Sequence, residues 1–261
     1  MRKILLPLIL LASALPGCGP GLDTDSFHPG SVDGALFWYK AEQAYSIAPS
    51  GGQTTWYWAE SLGNQTGLSL TGAGAPSVLL GSLGQKLMSL SSGSYFSMGH
   101  SPLSLAEFTV YAVMQRQTGT DVGIFGILSD NIAAANCASP NLSLRGNNTT
   151  GLLDGEVRNG ANSVSTSIPA STGLSVVELR YGSEGTLRLQ AAGQSSSASG
   201  ANLSVTIGAP KVALGAACLD ASRIAKGNLS LGEVLFYNRA VSDSESLRIR
   251  RYLMLRHGVT Q

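Results

Sequence analysis

The sequence is poor in charged residues, in histidine and in cysteine. Asp, Glu, Lys and Arg make up 13% of its 261 residues, the formal net charge is +1, and it has three histidines and three cysteines. Nucleic-acid binding needs a clustered basic face, so this charge balance argues against a nucleic-acid partner. The few histidines and cysteines form no group with the spacing of a zinc site.

Long hydrophobic runs are also missing after the first residues, whereas glycine is abundant at 32 residues. Short apolar runs separated by Gly, Ser and Asn predict about a dozen strands or more, too many for one open antiparallel sheet of ordinary size. We therefore predict two packed sheets. The clearest strands are residues 107–115, 122–128, 174–181 and 229–237. In the more polar middle, Asp154–Gly155 and Asn159–Gly160 are interpreted as hairpin turns.

The beginning of the chain has the parts of an export signal. Arg2 and Lys3 precede an apolar run over residues 4–14, which is too short to span a bilayer as a mature helix. The following Leu-Pro-Gly-Cys at 15–18 resembles the lipobox of bacterial lipoproteins. This resemblance implies a signal peptide over residues 1–17 and a lipid on Cys18, with Gly19 favouring the outer membrane if the cell has one. The alternative is an ordinary secretory signal with an incidental cysteine.

Residues 18–32 are rich in Gly, Pro, Asp and Ser and predict a flexible tether, which leaves residues 33–261 as one folded domain. If Cys18 carries lipid, Cys137 and Cys218 remain to form a disulfide, as is common in exported proteins. Two separate buried thiols are the alternative.

The end of the chain predicts one helix. Ser242 and Glu245 have the spacing of a capping box, and Gly258 is placed to end the helix. Ile249, Tyr252, Leu253 and Arg256 would share the face that docks on a sheet. The basic residues near the end are interpreted as dipole-matched, solvated side chains rather than as an anion site.

Several segments of the chain resemble LamG-like domains of the concanavalin A-like lectin/glucanase superfamily. The matching segments are residues 36–41, 58–64, 108–113, 232–243, 252–253 and 257–259. Residues 129–181 show no match. The resemblance implies an all-β, two-sheet antiparallel jelly-roll sandwich with one short C-terminal helix.

The glucanases of that superfamily require a search for catalytic acids. Laminarinase-type members carry Glu-x-Asp-x-x-Glu on one strand, and no Glu of this chain is followed by Asp two residues later. The nearby acidic pairs are Asp154 with Glu156, and Asp243 with Glu245 at the helix start. His28 lies in the predicted tether, His257 at the helix end and His100 alone in a predicted loop, and the sequence has no Gly-x-Ser-x-Gly motif. We therefore predict a protein that is not an enzyme.

Residues 56–58 are the most aromatic stretch. On a strand Trp56 and Trp58 point one way and Tyr57 the other, and an exposed flat ring can stack on a sugar. The alternative places Trp58 in the core and Trp56 at the sheet edge. LamG-like domains often hold calcium, but Asp121, Asp130, Asn131 and Asp154 form no dense ligand loop, so no cofactor is assigned.

Together these features predict an exported, membrane-tethered, non-catalytic binding module, lipid-anchored to the cell envelope, that recognises a glycan or a cell-surface protein. A structural or assembly lipoprotein without a small ligand is the alternative. A glycoside hydrolase is the third hypothesis, and it requires a pair of carboxylates in a cleft.

Overall fold

A computed structural model describes residues 27–47, 55–63, 67–72, 74–129, 137, 141–220 and 223–260. The predicted signal peptide, Cys18, Asp130 and Asn131 lie outside these ranges. The Phe27 and Val32 side chains pack against the buried apolar cluster beneath the helix. The folded unit therefore begins before residue 33, within the segment predicted as tether.

The described residues form twenty strands and one α-helix, preceded by a short 3-10 turn at Pro29–Ser31. The strands are β1 (Ala35–Ile47), β2 (Thr55–Glu60), β3 (Leu68–Thr71), β4 (Ser77–Leu80), β5 (Lys86–Leu90), β6 (Tyr95–Gly99), β7 (Leu103–Leu105), β8 (Phe108–Arg116), β9 (Val122–Leu128), β10 (Asn141–Asn147), β11 (Leu152–Asn159), β12 (Asn162–Pro169), β13 (Ser175–Tyr181), β14 (Thr186–Ala191), β15 (Gln194–Ser199), β16 (Val205–Ile207), β17 (Lys211–Leu214), β18 (Ala216–Cys218), β19 (Ile224–Lys226) and β20 (Leu229–Tyr237). The helix α1 is Asp243–His257.

Most strands belong to one antiparallel ribbon in the order β12-β11-β10-β9-β17-β6-β3-β2-β1-β20-β8-β13-β14-β15, with β5 beside β20 and β4 beside β5. The ribbon folds back on itself, because β12 at one end contacts β14 and β15 at the other. The first layer contains β1, β20, β8 and β13–β15, with β4 and β5. The second layer contains β2, β3, β6, β17 and β9–β12. The register of β1 shifts between Tyr39 and Ala44, where the strand passes from its pairing with β20 to its pairing with β2.

The core lies between the two layers and is rich in aromatic rings. Phe236 of the first layer stacks on Phe37 at 4.8 Å and meets Phe125 of the second layer at 5.8 Å between ring centroids. A side-chain carbon at Gly155 in β11 would collide with Leu179 in β13, so the layers approach closely there. The fold is an all-β, two-sheet antiparallel jelly-roll sandwich of the concanavalin A type with one C-terminal helix, as predicted.

Helix α1 covers the outer face of the first layer. Ile249 and Leu253 are fully buried against Trp38, Tyr111 and Leu235, in agreement with the predicted docking face. The capping box is present, with the Ser242 hydroxyl accepting from the Glu245 amide at 3.3 Å. Gly258 ends the helix in the left-handed conformation at φ 63°. Within the described ranges, no helix combines the length and apolar character needed to cross a bilayer.

Two sequence interpretations are wrong. Asp154–Gly155 lies inside β11 and forms no turn, because the missing side chain of Gly155 makes room for Leu179 of the opposite sheet. Some basic residues of α1 form ion pairs with buried acids instead of being simply solvated. Arg250 lies 3.3 Å from Glu178, and Arg256 contacts Glu233. Asn159–Gly160 does occupy the predicted turn, between β11 and β12.

The hairpin β18–β19 covers part of the outer face of the second layer. Cys137 and Cys218 form a disulfide, with 5.6 Å between their Cα atoms, so the predicted pairing is present. The backbone of the hairpin lies directly on β9, where a side-chain carbon at Gly126 would come within 2.8 Å of the Ala216 carbonyl oxygen. The hairpin does not cover β2, β3 or the adjoining part of β6, which lie beside it.

Candidate ligand-binding face

Tyr45 and Tyr57 form a stacked pair on the outer face of the sandwich. The register of β1 with β2 places the two residues directly opposite each other, and their ring centroids lie 5.5 Å apart at an interplanar angle of 21°. Tyr45 is 47% exposed and Tyr57 is half-buried. Such a pair presents flat aromatic surface to solvent, held by the sheet backbone rather than by a loop.

The two tryptophans predicted with Tyr57 point towards the core. Trp58 is fully buried, packs edge-on against Phe96 at 5.3 Å and donates from its indole nitrogen to the Lys40 carbonyl at 2.6 Å. Trp56 is partly buried and packs against the same core. Tyr57 is therefore the residue of the three whose side chain lies on the outer face.

Small polar side chains continue the outer face beyond the tyrosines. Tyr57 pairs with Ser69, and Ser69 pairs with Ser97, so the three side chains project from the same face of neighbouring strands. Both serines are partly exposed. We call Tyr45, Tyr57, Ser69 and Ser97 the tyrosine strip. The short serine side chains lie beside the larger tyrosine rings, and one face of a flat, hydroxylated ligand can fit over them.

A cleft of about 640 Å³ lies where five loops meet. It is lined by Ser92, Gly93, Gly119, Thr120, Asp121, Asn148, Thr149, Leu219, Arg223, Ile224, Ala225, Lys226 and Asn228. These residues supply both hydrogen-bond donors and hydrogen-bond acceptors, some of them charged. Asp121 accepts from the Asn148 amide at 2.8 Å, and this bond holds two of the loops together.

Tyr95 connects the cleft to the tyrosine strip. The Lys226 ammonium, which lines the cleft, lies 5.5 Å from the centroid of the Tyr95 ring. Tyr95 pairs across the strands with Thr71, two residues from Ser69 of the strip. Burial raises the pKa of Tyr95, so its hydroxyl is neutral at physiological pH and can donate or accept a hydrogen bond.

The acidic pair Asp154 and Glu156 belongs to an ion-pair cluster on the outer face of β10 and β11. Arg145 lies 2.8 Å from Glu156 and 3.7 Å from Asp154, and Arg158 lies 2.5 Å from Glu156. Arg145 also donates to the Cys218 carbonyl at 2.7 Å. The arrangement ties β18 to the sheet, and both carboxylates already have arginine partners.

The other acidic pair serves the start of α1. Arg239 donates to Glu245 at 2.6 Å and, with Ser242, lowers the pKa of that carboxyl to about 2. Asp243 pairs with Arg180 at 2.5 Å, which lowers its pKa as well. An acid with a lowered pKa is a poor proton donor at neutral pH.

The three histidines lie in separate parts of the structure. His28 packs edge-on against Trp38 at 4.7 Å, whereas His257 is buried 3.0 Å from Glu233, and His100 lies in the loop after β6. Within the described part of the chain, no group of three His, Cys, Asp or Glu side chains could hold a metal ion.

The solved structures that resemble this sandwich include an arabinanase domain and a toxin domain. Domain 4 of an extracellular GH43 arabinanase from Geobacillus stearothermophilus, solved with arabinotriose, aligns with a TM-score of 0.57 and 17% identity over 83% of this chain and 98% of that domain. The botulinum neurotoxin serotype G binding domain aligns with a TM-score of 0.55 and 11% identity over 85% of this chain. The alignment spans about half of the toxin domain, 51% of its length. No protein-family model and no curated protein sequence matches the chain. At this level of sequence identity, the similarity to these structures shows a shared fold.

Sequence reasoning missed Tyr45 and the loop cleft. Tyr45 stands alone among small and polar residues, and only the register of β1 with β2 brings it against Tyr57. The cleft draws residues from loops spread over positions 92–228, and local patterns carry no signal for such a convergence.

Proposed function

We propose that this chain is a glycan-binding module without catalytic activity, exported and held at the cell envelope by a lipid on Cys18. The observation that carries the proposal is the stacked Tyr45–Tyr57 pair, which lies beside the short side chains of Ser69 and Ser97 in the tyrosine strip. Aromatic faces stack on the apolar faces of sugar rings, and neighbouring hydroxyl and amide groups can bind the sugar hydroxyls.

Similar proteins support this reading without deciding it. The arabinanase domain was solved with arabinotriose, and the toxin domain is named a binding domain. We also assign the sandwich to the LamG-like group, on the strength of residues 232–243 and the Gly258 end of α1. Oligosaccharides are accordingly the first ligands to test.

Export and anchoring rest on the leader and the cysteines. The lipobox-like residues 15–18 supply a lipid site, and the Cys137–Cys218 disulfide suits an oxidising compartment. Labelling of the expressed protein with a fatty-acid analogue, abolished by Cys18→Ala, tests the anchor. Unchanged labelling in that variant contradicts it.

Absence of catalysis is proposed because the candidate acids already serve other partners. Asp154 and Glu156 are paired with arginine on a sheet face, and Glu245 caps a helix. Assays for release of reducing sugar from polysaccharides should give the same background for wild type and Glu156→Gln. A release that the Glu156→Gln substitution abolishes would establish a hydrolase instead.

The binding proposal is tested on a glycan array followed by calorimetry with the best oligosaccharide, with arabinotriose included. Removing one stacking ring by Tyr57→Ala or Tyr45→Ala should weaken binding about tenfold, whereas Tyr57→Phe keeps the ring and most of the affinity. Trp56→Ala serves as the neighbouring aromatic control. Equal affinity of Tyr57→Ala and wild type, or a loss confined to Trp56→Ala, would move the site away from the tyrosine strip.

A further inference from the structure

Several large apolar side chains are exposed on the side of the domain that carries α1. Leu247 and Leu255 on the helix are 60% and 55% exposed, and Leu83 at the tip of the β4–β5 hairpin is 61% exposed. A domain this small rarely leaves a contiguous set of leucines in water unless the set contacts something.

The helix and the hairpin form one continuous surface. Leu247, Arg251 and Leu255 recur every four residues, so they form a ridge along the helix. Gly258 follows Leu255 by three residues, and a side-chain carbon built on it would lie 3.0 Å from Leu83. The ridge therefore runs from the middle of α1 to the hairpin tip.

Basic residues predominate on this surface. Arg248 and Arg251 are exposed on the helix. Asp243, the exposed acid one turn before Leu247, is paired with Arg180 at 2.5 Å. The sequence has no Asp or Glu over residues 61–106, which include the hairpin, nor over residues 246–261, which include the last three turns of the helix. Leucines beside basic residues match a surface with an apolar interior and anionic groups above it.

The N-terminal segment enters the domain at the same place. The Arg248 guanidinium lies 4.5 Å from the Phe27 ring centroid, and Tyr252 packs edge-on against that ring at 6.2 Å. Eight residues, 19–26, separate Cys18 from Phe27. They span at most about 30 Å when fully extended. A lipid on Cys18 would thus keep this side of the domain within reach of the bilayer.

We propose that Leu83, Leu247, Arg248, Arg251 and Leu255, here called the leucine–arginine face, rest on an anionic lipid bilayer. The leucines enter the boundary between headgroups and acyl chains, and the arginines contact lipid phosphates. The face takes its proximity to the membrane from the lipid anchor proposed above, but its contact with lipid is a separate property of the folded domain. Contact at this face would fix the orientation of the domain on the membrane.

The test places a fluorophore on the full-length, lipidated chain reconstituted into vesicles of phosphatidylcholine and phosphatidylglycerol. With Cys18 acylated and Cys137 bonded to Cys218, a cysteine introduced by Leu83→Cys takes the label selectively. Lys211→Cys, exposed in β17 of the other layer, is the matched control position. Nitroxide groups on the acyl chains should quench the label at position 83 several-fold more than the label at position 211. Equal quenching overturns the proposal.

Charge reversal gives an independent measurement. Membrane attachment strengthened by phosphatidylglycerol should fall about fivefold for each arginine replaced in Arg248→Glu and Arg251→Glu. The same reversal in Lys211→Glu should leave attachment unchanged. Identical behaviour of the Arg251→Glu and Lys211→Glu variants contradicts the assigned face.

The outcomes separate this inference from the anchor. Fatty-acid labelling of Cys18 without preferential quenching at position 83 supports the anchor and refutes the face. Preferential quenching at position 83 without labelling of Cys18 supports the face and refutes the anchor. Disulfide crosslinking between two copies through Leu83→Cys, together with weak quenching, identifies a second copy as the occupant and overturns the lipid assignment.

Discussion

The indole nitrogen of Trp38 donates a 2.7 Å hydrogen bond to the carboxylate of Glu233, 195 residues further along the chain. The other carboxylate oxygen lies 3.0 Å from Nε2 of His257, which must donate because the carboxylate only accepts, and it also contacts Arg256. Trp38, Glu233 and His257 are all buried. One acid thus joins the first strand, the last strand and the end of α1.

Glu233→Ala should reduce the free energy of unfolding by about 3–5 kcal/mol, because it leaves the buried Trp38 and His257 groups without their acceptor and removes one of the two acids that contact Arg256. Urea denaturation followed by circular dichroism measures the change. Glu184→Ala, an exposed acid in the β13–β14 turn, should change stability by less than about 0.5 kcal/mol. If the Ala variant does not fold, Glu233→Gln gives the comparison. A Glu233 variant as stable as Glu184→Ala would refute the structural role.

The Cys137–Cys218 disulfide closes a loop with a sequence separation of 81 residues. Removing it with Cys137→Ser and Cys218→Ser together should cost about 4 kcal/mol, because the unfolded chain regains the freedom that the closed loop denies it. Urea midpoints of wild type should fall equally when a reductant is added, and the double variant should not respond. If the reductant lowered the urea midpoint of the double variant by the same amount, the loss of stability would not come from this disulfide.

Glu245 should make the free energy of unfolding of the domain depend on pH in the acidic range. Its bond from Arg239 and its contacts with Ser242 lower its pKa from 4.5 to about 2. The stabilisation is fully present above pH 4.5 and is lost as the pH falls towards 2. The stability difference between wild type and Glu245→Gln should therefore be constant from pH 7 to 5 and shrink below pH 4.5. Denaturation across this range tests the slope. A difference that grows in acid contradicts the assignment.

Adjacent aromatic residues should respond differently to truncation. Trp58→Ala empties a fully buried site and removes the bond to Lys40, so it should cost about 3–5 kcal/mol in unfolding free energy. Tyr57→Ala loses the stacking on Tyr45 and only part of its burial, and should cost about 1 kcal/mol. Urea denaturation of both variants provides the measurement. Equal costs would mean that Tyr57 is as much a core residue as Trp58.

Elements with strong local sequence signals were predicted well. The strand at residues 229–237 and the strand at residues 122–128 have the predicted bounds, and α1 has the predicted capping box and glycine end. These features depend on runs of β-branched and apolar residues or on residues three positions apart. Such information lies within one segment of the chain.

Features that depend on distant segments could not be predicted. Gly155 follows an aspartate as a turn glycine often does, yet its position is dictated by Leu179 of the other sheet. Arg256 has the sequence context of a solvated helix end, and its pairing with Glu233 follows from the docking of α1 on β20. Register across β1 and β2 likewise decides that Tyr45 meets Tyr57.

The position of β20 between β1 and β8 has a consequence for the order of folding. The last strand of the chain occupies the middle of the first layer, and it pairs with strands made near the beginning. Until residues 229–237 have left the ribosome, β1 and β8 lack the neighbour that joins them, and Phe236 is missing from the aromatic core. Completion of this sheet must therefore wait until residues 229–237 are available, and a chain that stops before them exposes two unpaired strand edges.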